Sequence, residues 1–292
     1  FVADDVVMTG GSTLTLAAPG ILDSGSAIAD AALFVRGDST VRLAANDAIV
    51  GGTGNTNLRR VSLADGTTAG TGTLDLNGFN FSIRRIDLGA IAPGFTGMIE
   101  DSGTITLLPN LTDYNDGFRV FRGSISSGTT ITGTGTLLKQ GLDTVTMANT
   151  GTSWSGNNAS RIDSGELILD FTVNNDGKIP SNVALDMRGG RLTIQGNDNS
   201  TSVQNVASFT LANGGQNTIA INPGAGQTAI LDLGAITRNA AHGTLRYLPQ
   251  PGSSLKTSTA NGAHGLLGAS AYLTIKDDTR TWFARNDGGD NI

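Results

Sequence analysis

Two pairs of adjacent aspartates are the residues of this sequence whose types most resemble a catalytic apparatus. Asp4–Asp5 and Asp277–Asp278 provide the paired carboxylates that glycoside hydrolysis requires. Neighbouring residues of a strand point to opposite faces, however, so the two carboxylates of one pair cannot flank a glycosidic bond. The Asn-Thr-Asp, Gly-His-Gly and Arg-Ile-Lys clusters of polygalacturonases are absent as well. We therefore interpret both pairs as solvated turn acids, and we expect no catalytic residue and no enzymatic activity.

The two histidines, His242 and His264, both occur in the sequence Ala-His-Gly. A protein metal site needs further ligands at a fixed spacing, and the chain has neither a cysteine nor a His-x-x-x-His pattern. We interpret both histidines as exposed corner residues. The absence of cysteine also excludes disulfides and thiolate chemistry.

Three segments rich in Asn and Asp offer the hard oxygen ligands that calcium prefers: Asn174–Gly177, Asn197–Asn199 and Asp287–Asn291. Asn and Asp also fill tight turns because they tolerate the left-handed backbone conformation. Turn chemistry is the simpler interpretation, so we expect no cofactor and keep calcium as the alternative.

A pair of neighbouring arginines recurs after 25 residues, as Arg59–Arg60 and Arg84–Arg85, within segments of similar polarity pattern. We expect one arginine of each pair to face outward, with the two about 5 Å apart on adjacent strands. Asp65 and Asp87 lie near enough in sequence to neutralise them. The recurrence is either a structural ladder or a binding site for an anionic polysaccharide.

The composition of the 292 residues, with 41 Gly, 15% charged residues and a net charge of −6, argues against several classes of protein. No basic stripe interleaved with aromatic residues is present, so we expect no nucleic-acid partner. No run of 18 apolar residues is present, so we expect no membrane span. The many glycines instead favour tight turns between short strands.

Apolar residues alternate with polar ones over four to six positions, which is the period of a half-buried strand. A Gly-x-(Leu/Ile) strand start recurs, with first intervals of 31, 32, 30 and 25 residues, at Gly72, Gly103, Gly135, Gly165, Gly190 and Gly243. Intervals of this size indicate a repeat architecture, and the longer period and aromatic signature of a propeller are missing.

The sequence therefore predicts an all-β, right-handed parallel β-helix (a β-solenoid) of roughly a dozen coils, forming one domain over residues 1–292. Such a rod is about 50–60 Å long. A loop leaving the stack is expected at Leu248–Gly252. The side chains expected to point inward and stack between coils are Leu74, Leu76, Leu137, Leu167 and Leu169.

A regular motif of glycines, alternating apolar residues and an aromatic-Ser-Gly turn extends over the segment Gly133–Leu169. Its residues are Gly133, Gly135, Thr136, Leu137, Lys139, Gly141, Thr144, Val145, Met147, Asn149, Trp154, Ser155, Gly156, Ile162, Gly165, Leu167 and Leu169. This segment resembles the autotransporter-associated β-strand repeat of surface proteins from Gram-negative bacteria. The resemblance covers about 37 residues and departs from the pattern in the corner at Asn157–Ala159. The resemblance implies a secreted passenger-type β-helix, used in adhesion, surface coating or scaffolding, with no catalytic signature.

The ends of the chain carry apolar, strand-like residues at Val6–Met8 and Trp282–Phe283 and no pattern of a capping helix. We expect the chain to be an excerpt or repeat unit of a longer secreted protein, located outside the cell or on its surface. Its expected partners are copies of itself or adjacent segments of the same chain, stacked head to tail. The alternative function is a polysaccharide-binding or polysaccharide-cleaving module, and surface polysaccharide is then the partner.

Overall fold

The structure is a computed structural model that describes residues 5–20, 32–49, 60–108, 117–155, 159–212, 215–238, 244–260, 273–276 and 281–283. All regular secondary structure in these ranges is β, which confirms the predicted all-β class. The same ranges contain no helix that is long and apolar enough to cross a membrane. The chain divides into two compact units, residues 1–158 (unit 1) and 159–292 (unit 2).

The described strands of unit 1 belong to three sheets, which we call A, B and C. Sheet A consists, in order, of β1 (Asp5–Met8), β3 (Ala32–Val35), β5 (Arg60–Leu63), β8 (Arg85–Leu88), β11 (Gly117–Val120) and β14 (Thr136–Lys139). Sheet B consists of β2 (Thr13–Leu16), β4 (Thr40–Leu43), β6 (Gly70–Asp75), β9 (Phe95–Glu100), β12 (Gly123–Ile125) and β15 (Thr144–Met147). Sheet C consists of β7 (Phe81–Ile83), β10 (Gly103–Leu107), β13 (Thr129–Thr134) and β16 (Thr152–Ser155).

The strands that the structure describes in unit 2 are likewise grouped into three sets of neighbours, which we call sheets D, E and F. Sheet D consists of β17 (Ser160–Ile162), β19 (Leu185–Met187), β22 (Ser208–Leu211) and β25 (Ala235–Arg238). Sheet E consists of β18 (Glu166–Asp170), β20 (Gly190–Gln195), β23 (Gln216–Asn222), β26 (Thr244–Leu248), β28 (Leu273–Lys276) and β29 (Thr281–Phe283). Sheet F consists of β21 (Ser202–Asn205), β24 (Ala229–Asp232) and β27 (Ser253–Lys256).

Apart from β29, each described strand pairs in parallel with a strand one coil away in the chain. This is the arrangement of a parallel β-solenoid and confirms that prediction. The side chains that alternate inward form apolar ladders, because parallel pairing places equivalent residues of successive coils next to each other. Leu167, for example, is paired with Leu192 and Leu169 with Ile194. All five leucines predicted to point inward are buried: Leu74, Leu76, Leu137, Leu167 and Leu169.

The structure shows where the glycine motifs lie in the coils and corrects the expectation of a loop that leaves the stack. Successive glycine motifs do not all lie in the same sheet. Gly72 lies in sheet B and pairs with Gly97 of the next coil, whereas Gly103, the next glycine motif in the sequence, lies in sheet C. The predicted loop at Leu248–Gly252 does not leave the stack, because Leu248 is the last residue of β26 and only residues 249–252 separate it from β27. The strands β26 and β27 remain paired with β23 and β24. Proline is tolerated there since Pro249 and Pro251 lie outside the strands.

One element departs from the parallel pattern. Strand β29 pairs antiparallel with β28, so that Ile275 lies opposite Trp282. The four residues between these strands are too few for a crossover to a parallel neighbour, but they suffice for a hairpin. The alternating residues of the two strands carry no information on strand direction, so the sequence pattern did not distinguish the two arrangements.

Glycine is required where coils approach each other closely. Gly123 has a φ of 132°, and a Cβ atom there would lie 1.7 Å from the carbonyl oxygen of Gly97 in the adjacent coil. Several corners use a left-handed residue with a short polar side chain, among them Asp38, Asn77 and Asp101.

Candidate functional site

The outer face of sheet A carries a groove with a volume of about 490 Å³, entirely within unit 1. Its floor is formed by side chains that alternate with the buried residues Leu33, Val61, Ile86 and Phe118 and therefore point outward. The turns after β5 and β8 form its walls. We call it the arginine groove; its charged and aromatic lining consists of Arg60, Arg85, Arg119, Asp65, Asp87, Phe34 and Phe121.

Parallel register brings the arginines together. Arg60 and Arg85 are direct partners on β5 and β8, as the recurrence after 25 residues predicted. Arg119 lies on the next strand, β11, and is the partner of Asp87. Three guanidinium groups from three successive coils therefore line one face. Arg59, the neighbour of Arg60 in the predicted pair, lies outside the described residues.

Asp87 is the carboxylate around which two of these arginines are arranged. It accepts hydrogen bonds from Arg85 Nε at 2.8 Å and Arg85 Nη2 at 2.7 Å. Arg60 is a more distant partner, with 3.9 Å between Nη1 and the Oδ2 atom of Asp87. Asp87 itself is buried. The prediction that Asp87 neutralises an arginine of this ladder is confirmed, and that arginine is chiefly Arg85.

The second predicted acid, Asp65, pairs with an arginine that the sequence analysis did not consider. Arg36 donates to it through Nε at 2.9 Å and Nη2 at 2.5 Å. Burial opposes ionisation of Asp65, but the hydrogen bonds from Arg36 and from the backbone N–H of Thr67 outweigh it and lower the pKa of the carboxyl group. Asp65 is therefore a firmly ionised partner of Arg36.

The aromatic rings of the groove are covered by guanidinium groups. Arg36 and Arg60 lie 4.8 and 5.0 Å from the centre of the Phe34 ring, and Arg119 lies 5.5 Å from that of Phe121. These cation–π contacts hold the long arginine side chains in place. They also mean that the rings already have charged partners.

Arg119 is the least compensated cation of the groove. Within the described part of the chain no carboxylate lies within ion-pair distance of it, and its Nη2 group donates to Gln140 Oε1 at 3.3 Å. Burial lowers the pKa of Arg119, and the positive charges of Arg85 and Arg60 lower it further, while Asp87 opposes the change. The Nε atoms of Arg60 and Arg119 are buried and have no hydrogen-bond partner among the described residues.

The backbone at the wall of the groove is conformationally restrained. Ala64 has a φ of 59°, a left-handed conformation that is unfavourable for a residue with a Cβ atom, and it precedes Asp65 in the turn after β5. The corresponding position one coil later is Gly89, with a φ of 72°. The backbone N–H groups of Ala64 and Gly89 donate to Val35 and Leu63 of the preceding coils, which holds both turns in place.

Taken together, the groove has an excess of positive charge. Arg60, Arg85 and Arg119 line the groove together with Asp65 and Asp87, and Asp65 is already paired with Arg36, which lies outside the lining. Four arginines therefore share two carboxylates, which leaves two positive charges in a chain of net charge −6. Guanidinium groups with unused N–H donors bind carboxylates, sulfates and phosphates. The arrangement therefore fits anion binding, and it contains no nucleophile paired with a base.

Most of the other candidate site residues named in the sequence analysis belong to segments that the structure does not describe. Asp4, Asp277–Asp278, His242, His264 and Asp287–Asn291 lie outside the described residues. Asp5 is exposed, and its Oδ1 atom accepts a hydrogen bond of 3.0 Å from the backbone N–H of Ala32. In the described part of the chain, no three His, Cys, Asp or Glu residues form a group able to hold a metal ion.

The two described calcium candidates, Asn174–Gly177 and Asn197–Asn199, use their side-chain oxygens in turns. Asn174 Oδ1 accepts from the Lys178 ammonium group at 2.5 Å and from the N–H of Asp176 at 3.2 Å. Asn197 Oδ1 accepts from the N–H of Asn199 at 2.8 Å. The side-chain oxygens of Asn174 and Asn197 thus accept hydrogen bonds from residues close to them in the chain, and the expectation of no cofactor stays a prediction.

Two buried lysines were missed by the sequence analysis. Lys139 and Lys178 have no exposed surface. Burial lowers the pKa of each to about 8, although Asp143 opposes the change at Lys139 and Asp176 at Lys178. The one available signal was the position of Lys139, two residues after the inward-facing Leu137 and so itself at an inward position of β14.

Comparison of the chain with protein families, with curated proteins and with solved structures found no match.

Proposed function

We propose that the chain is a structural repeat unit of an extracellular bacterial surface fibre, coat or adhesin, and that it assembles end to end. The observation that carries this proposal is that β1 and β2 each have a single paired neighbour in the part of the chain that the structure describes. Among the described strands, β1 pairs only with β3, and β2 pairs only with β4. Strand edges with unpaired N–H and C=O groups are templates for a further strand.

The chemistry of the unit fits a structural role. Apolar ladders from coil to coil give a stability that is the sum of nearest-neighbour interactions, so added coils lengthen such a structure without changing its design. A head-to-tail contact between copies is heterologous, and heterologous contacts that do not close produce filaments. In a longer chain, an adjoining segment would pair with the same strand edges in place of a second copy.

The resemblance to autotransporter-associated repeats supports an extracellular role. Its apolar positions fall on the core of the described coils: Leu137, Val145, Met147, Trp154, Ile162, Leu167 and Leu169 are all buried. A right-handed winding is part of the proposal, because parallel strands are joined by right-handed connections in about 98% of cases. The number of about a dozen coils stays a prediction.

Electron microscopy of the native material tests the proposal directly. We expect filaments or a continuous coat, and isolated short particles would contradict it. With the purified 292-residue chain, light scattering after size exclusion should show a mean mass that rises with protein concentration.

A variant of the open edge makes this test specific. Val7 lies on β1 and is 48% exposed. We expect Val7→Lys to reduce the association, because a lysine on an edge strand opposes strand addition. Val173→Lys is the matched control, since Val173 is 70% exposed in a turn of unit 2. If the two variants associate equally, or if wild type remains a monomer at every concentration, end-to-end assembly through β1 and β2 is wrong.

A further inference from the structure

We propose that the arginine groove is a binding site for an acidic polysaccharide, whose carboxylate or sulfate groups pair with Arg60 and Arg119. This inference does not depend on end-to-end assembly, because the groove lies on the outer face of sheet A and not at the open edge of β1.

The first argument is the incomplete pairing of the arginines. Arg85 uses two of its donors on Asp87, so that carboxylate is largely committed. Arg60 reaches the same carboxylate only at 3.9 Å. Among the described residues, the partners of Arg119 are the amide oxygen of Gln140 and the ring of Phe121. Like charges on adjacent strands repel each other unless an anion lies between them. An external anion would therefore compensate the remaining positive charge of Arg60 and Arg119.

The second argument is the spacing of the cations. The three arginines come from consecutive coils, and consecutive strands lie about 4.8 Å apart. The charges thus form a row that runs across the strands. An extended polymer with an acidic group on successive sugars presents a row of anions of comparable spacing. A single small anion would engage only part of this row.

The third argument is the apolar wall. The turn after β8 brings Ala90, Ile91 and Ala92 to the groove, and Ile91 is 64% exposed. The C–H face of a sugar ring packs on such a surface while its acidic group faces the arginines. Binding pockets of this kind combine an apolar surface with a few oriented polar groups.

The same geometry disfavours nucleic acid. Proteins that bind single strands stack bases on aromatic rings, but the rings of Phe34 and Phe121 already lie under guanidinium groups. The net charge of −6 would also repel a long polyphosphate outside the groove.

Binding can be measured by isothermal titration calorimetry with dextran sulfate and polygalacturonate, with uncharged dextran as the reference polymer. We expect wild type to bind both acidic polymers and not dextran, with an affinity that falls as salt is added, because salt screens exposed charges. Absence of binding to both acidic polymers at low ionic strength would overturn the proposal. So would equal affinity for inorganic polyphosphate, which has the charge but no sugar ring.

Matched variants locate the site. Arg60→Gln and Arg119→Gln should each weaken binding by about tenfold, as expected for the loss of one charged hydrogen-bonding partner. Arg246→Gln is the control, because Arg246 is an exposed arginine of unit 2. Equal weakening by the control would show that only the overall charge matters and would overturn the proposed site.

A second pair of variants avoids the packed arginines altogether. Ile91→Asp places a negative charge at the exposed wall of the groove and should weaken binding by about tenfold through repulsion of the polymer. Val173→Asp makes the same change at an exposed residue far along the chain in unit 2 and should leave the affinity within about twofold of wild type. Unchanged binding by Ile91→Asp would place the polymer elsewhere.

Discussion

Arg85 and Asp87 lie two residues apart on β8 and form a two-bonded ion pair, with distances of 2.8 Å from Nε to Oδ1 and 2.7 Å from Nη2 to Oδ2. Residues at positions i and i+2 share one face of a strand, so a single strand places both groups in contact. The two side chains are only 15% and 8% exposed. This pair fixes the floor of the arginine groove.

We expect Asp87→Asn to lower the free energy of unfolding by about 3 kcal/mol, because removing one member of a buried ion pair leaves its partner's charge uncompensated. The cost should be smaller in an Arg60→Gln background, where one fewer arginine faces the lost carboxylate. Urea denaturation of the two single variants and the double variant measures this coupling. Identical costs in both backgrounds would show that Arg60 and Asp87 do not interact.

The apolar ladder of sheet E gives a second prediction. Leu167 is fully buried opposite Leu192 of the next coil. We expect Leu167→Asp to cost about 4 kcal/mol, since it buries a charge without a partner. Ile168→Asp, the adjacent residue on the opposite face, should cost less than half as much. A Leu167→Asp variant that melts within a degree or two of wild type would contradict the inward register.

The fold was largely predictable because its main signal is local and repeated. Alternation of apolar and polar residues predicted the strands, and the recurrence of two arginines after 25 residues predicted the register that pairs Arg60 with Arg85. The glycine motif was less informative, since Gly103 lies in a different sheet from Gly72. A glycine at the start of a strand indicates a corner of the solenoid, but each coil has several corners, so the glycine does not identify the sheet to which the strand belongs.

The groove was only half predictable, because it depends on coils of unequal length. Arg119 follows Arg85 by 34 residues and has no arginine neighbour, so no recurrence linked the two. The pairing of Arg36 with Asp65 joins positions 29 residues apart, again outside the recurrence. Lys139 was missed for another reason. A charged residue at an inward position contradicts the polarity pattern. The sequence does not show that the carbonyl groups of Gln140 and Gly141 accept hydrogen bonds from its ammonium group.

The absence of enzymatic activity is a third prediction. The described residues of the groove include arginines and committed carboxylates but no acid and base arranged around a common reactive position. We therefore expect binding of acidic polysaccharides without cleavage. Incubation with pectins and alginates should release no new reducing or unsaturated ends. Turnover that a single Asp or Arg substitution abolishes would contradict the structural role.

The fourth prediction concerns the pH dependence of stability and rests on Lys139. Its ammonium group donates to the carbonyl oxygens of Gln140 and Gly141 at 2.8 and 2.9 Å, and burial lowers its pKa to about 8. The pKa of lysine in the unfolded chain is about 10.4. Between these values the unfolded chain holds more protons than the folded chain, so this group's contribution to stability increases as the pH rises.

The size and sign of this effect can be isolated with Lys139→Met. The difference in free energy of unfolding between wild type and variant should shift in favour of wild type by up to about 3 kcal/mol from pH 7.5 to pH 10.5, at about 1.4 kcal/mol per unit of pKa difference. Subtracting the variant removes the contribution of the other titrating groups. A difference that stays constant with pH, or that falls, would show that Lys139 remains charged in the folded protein throughout this range.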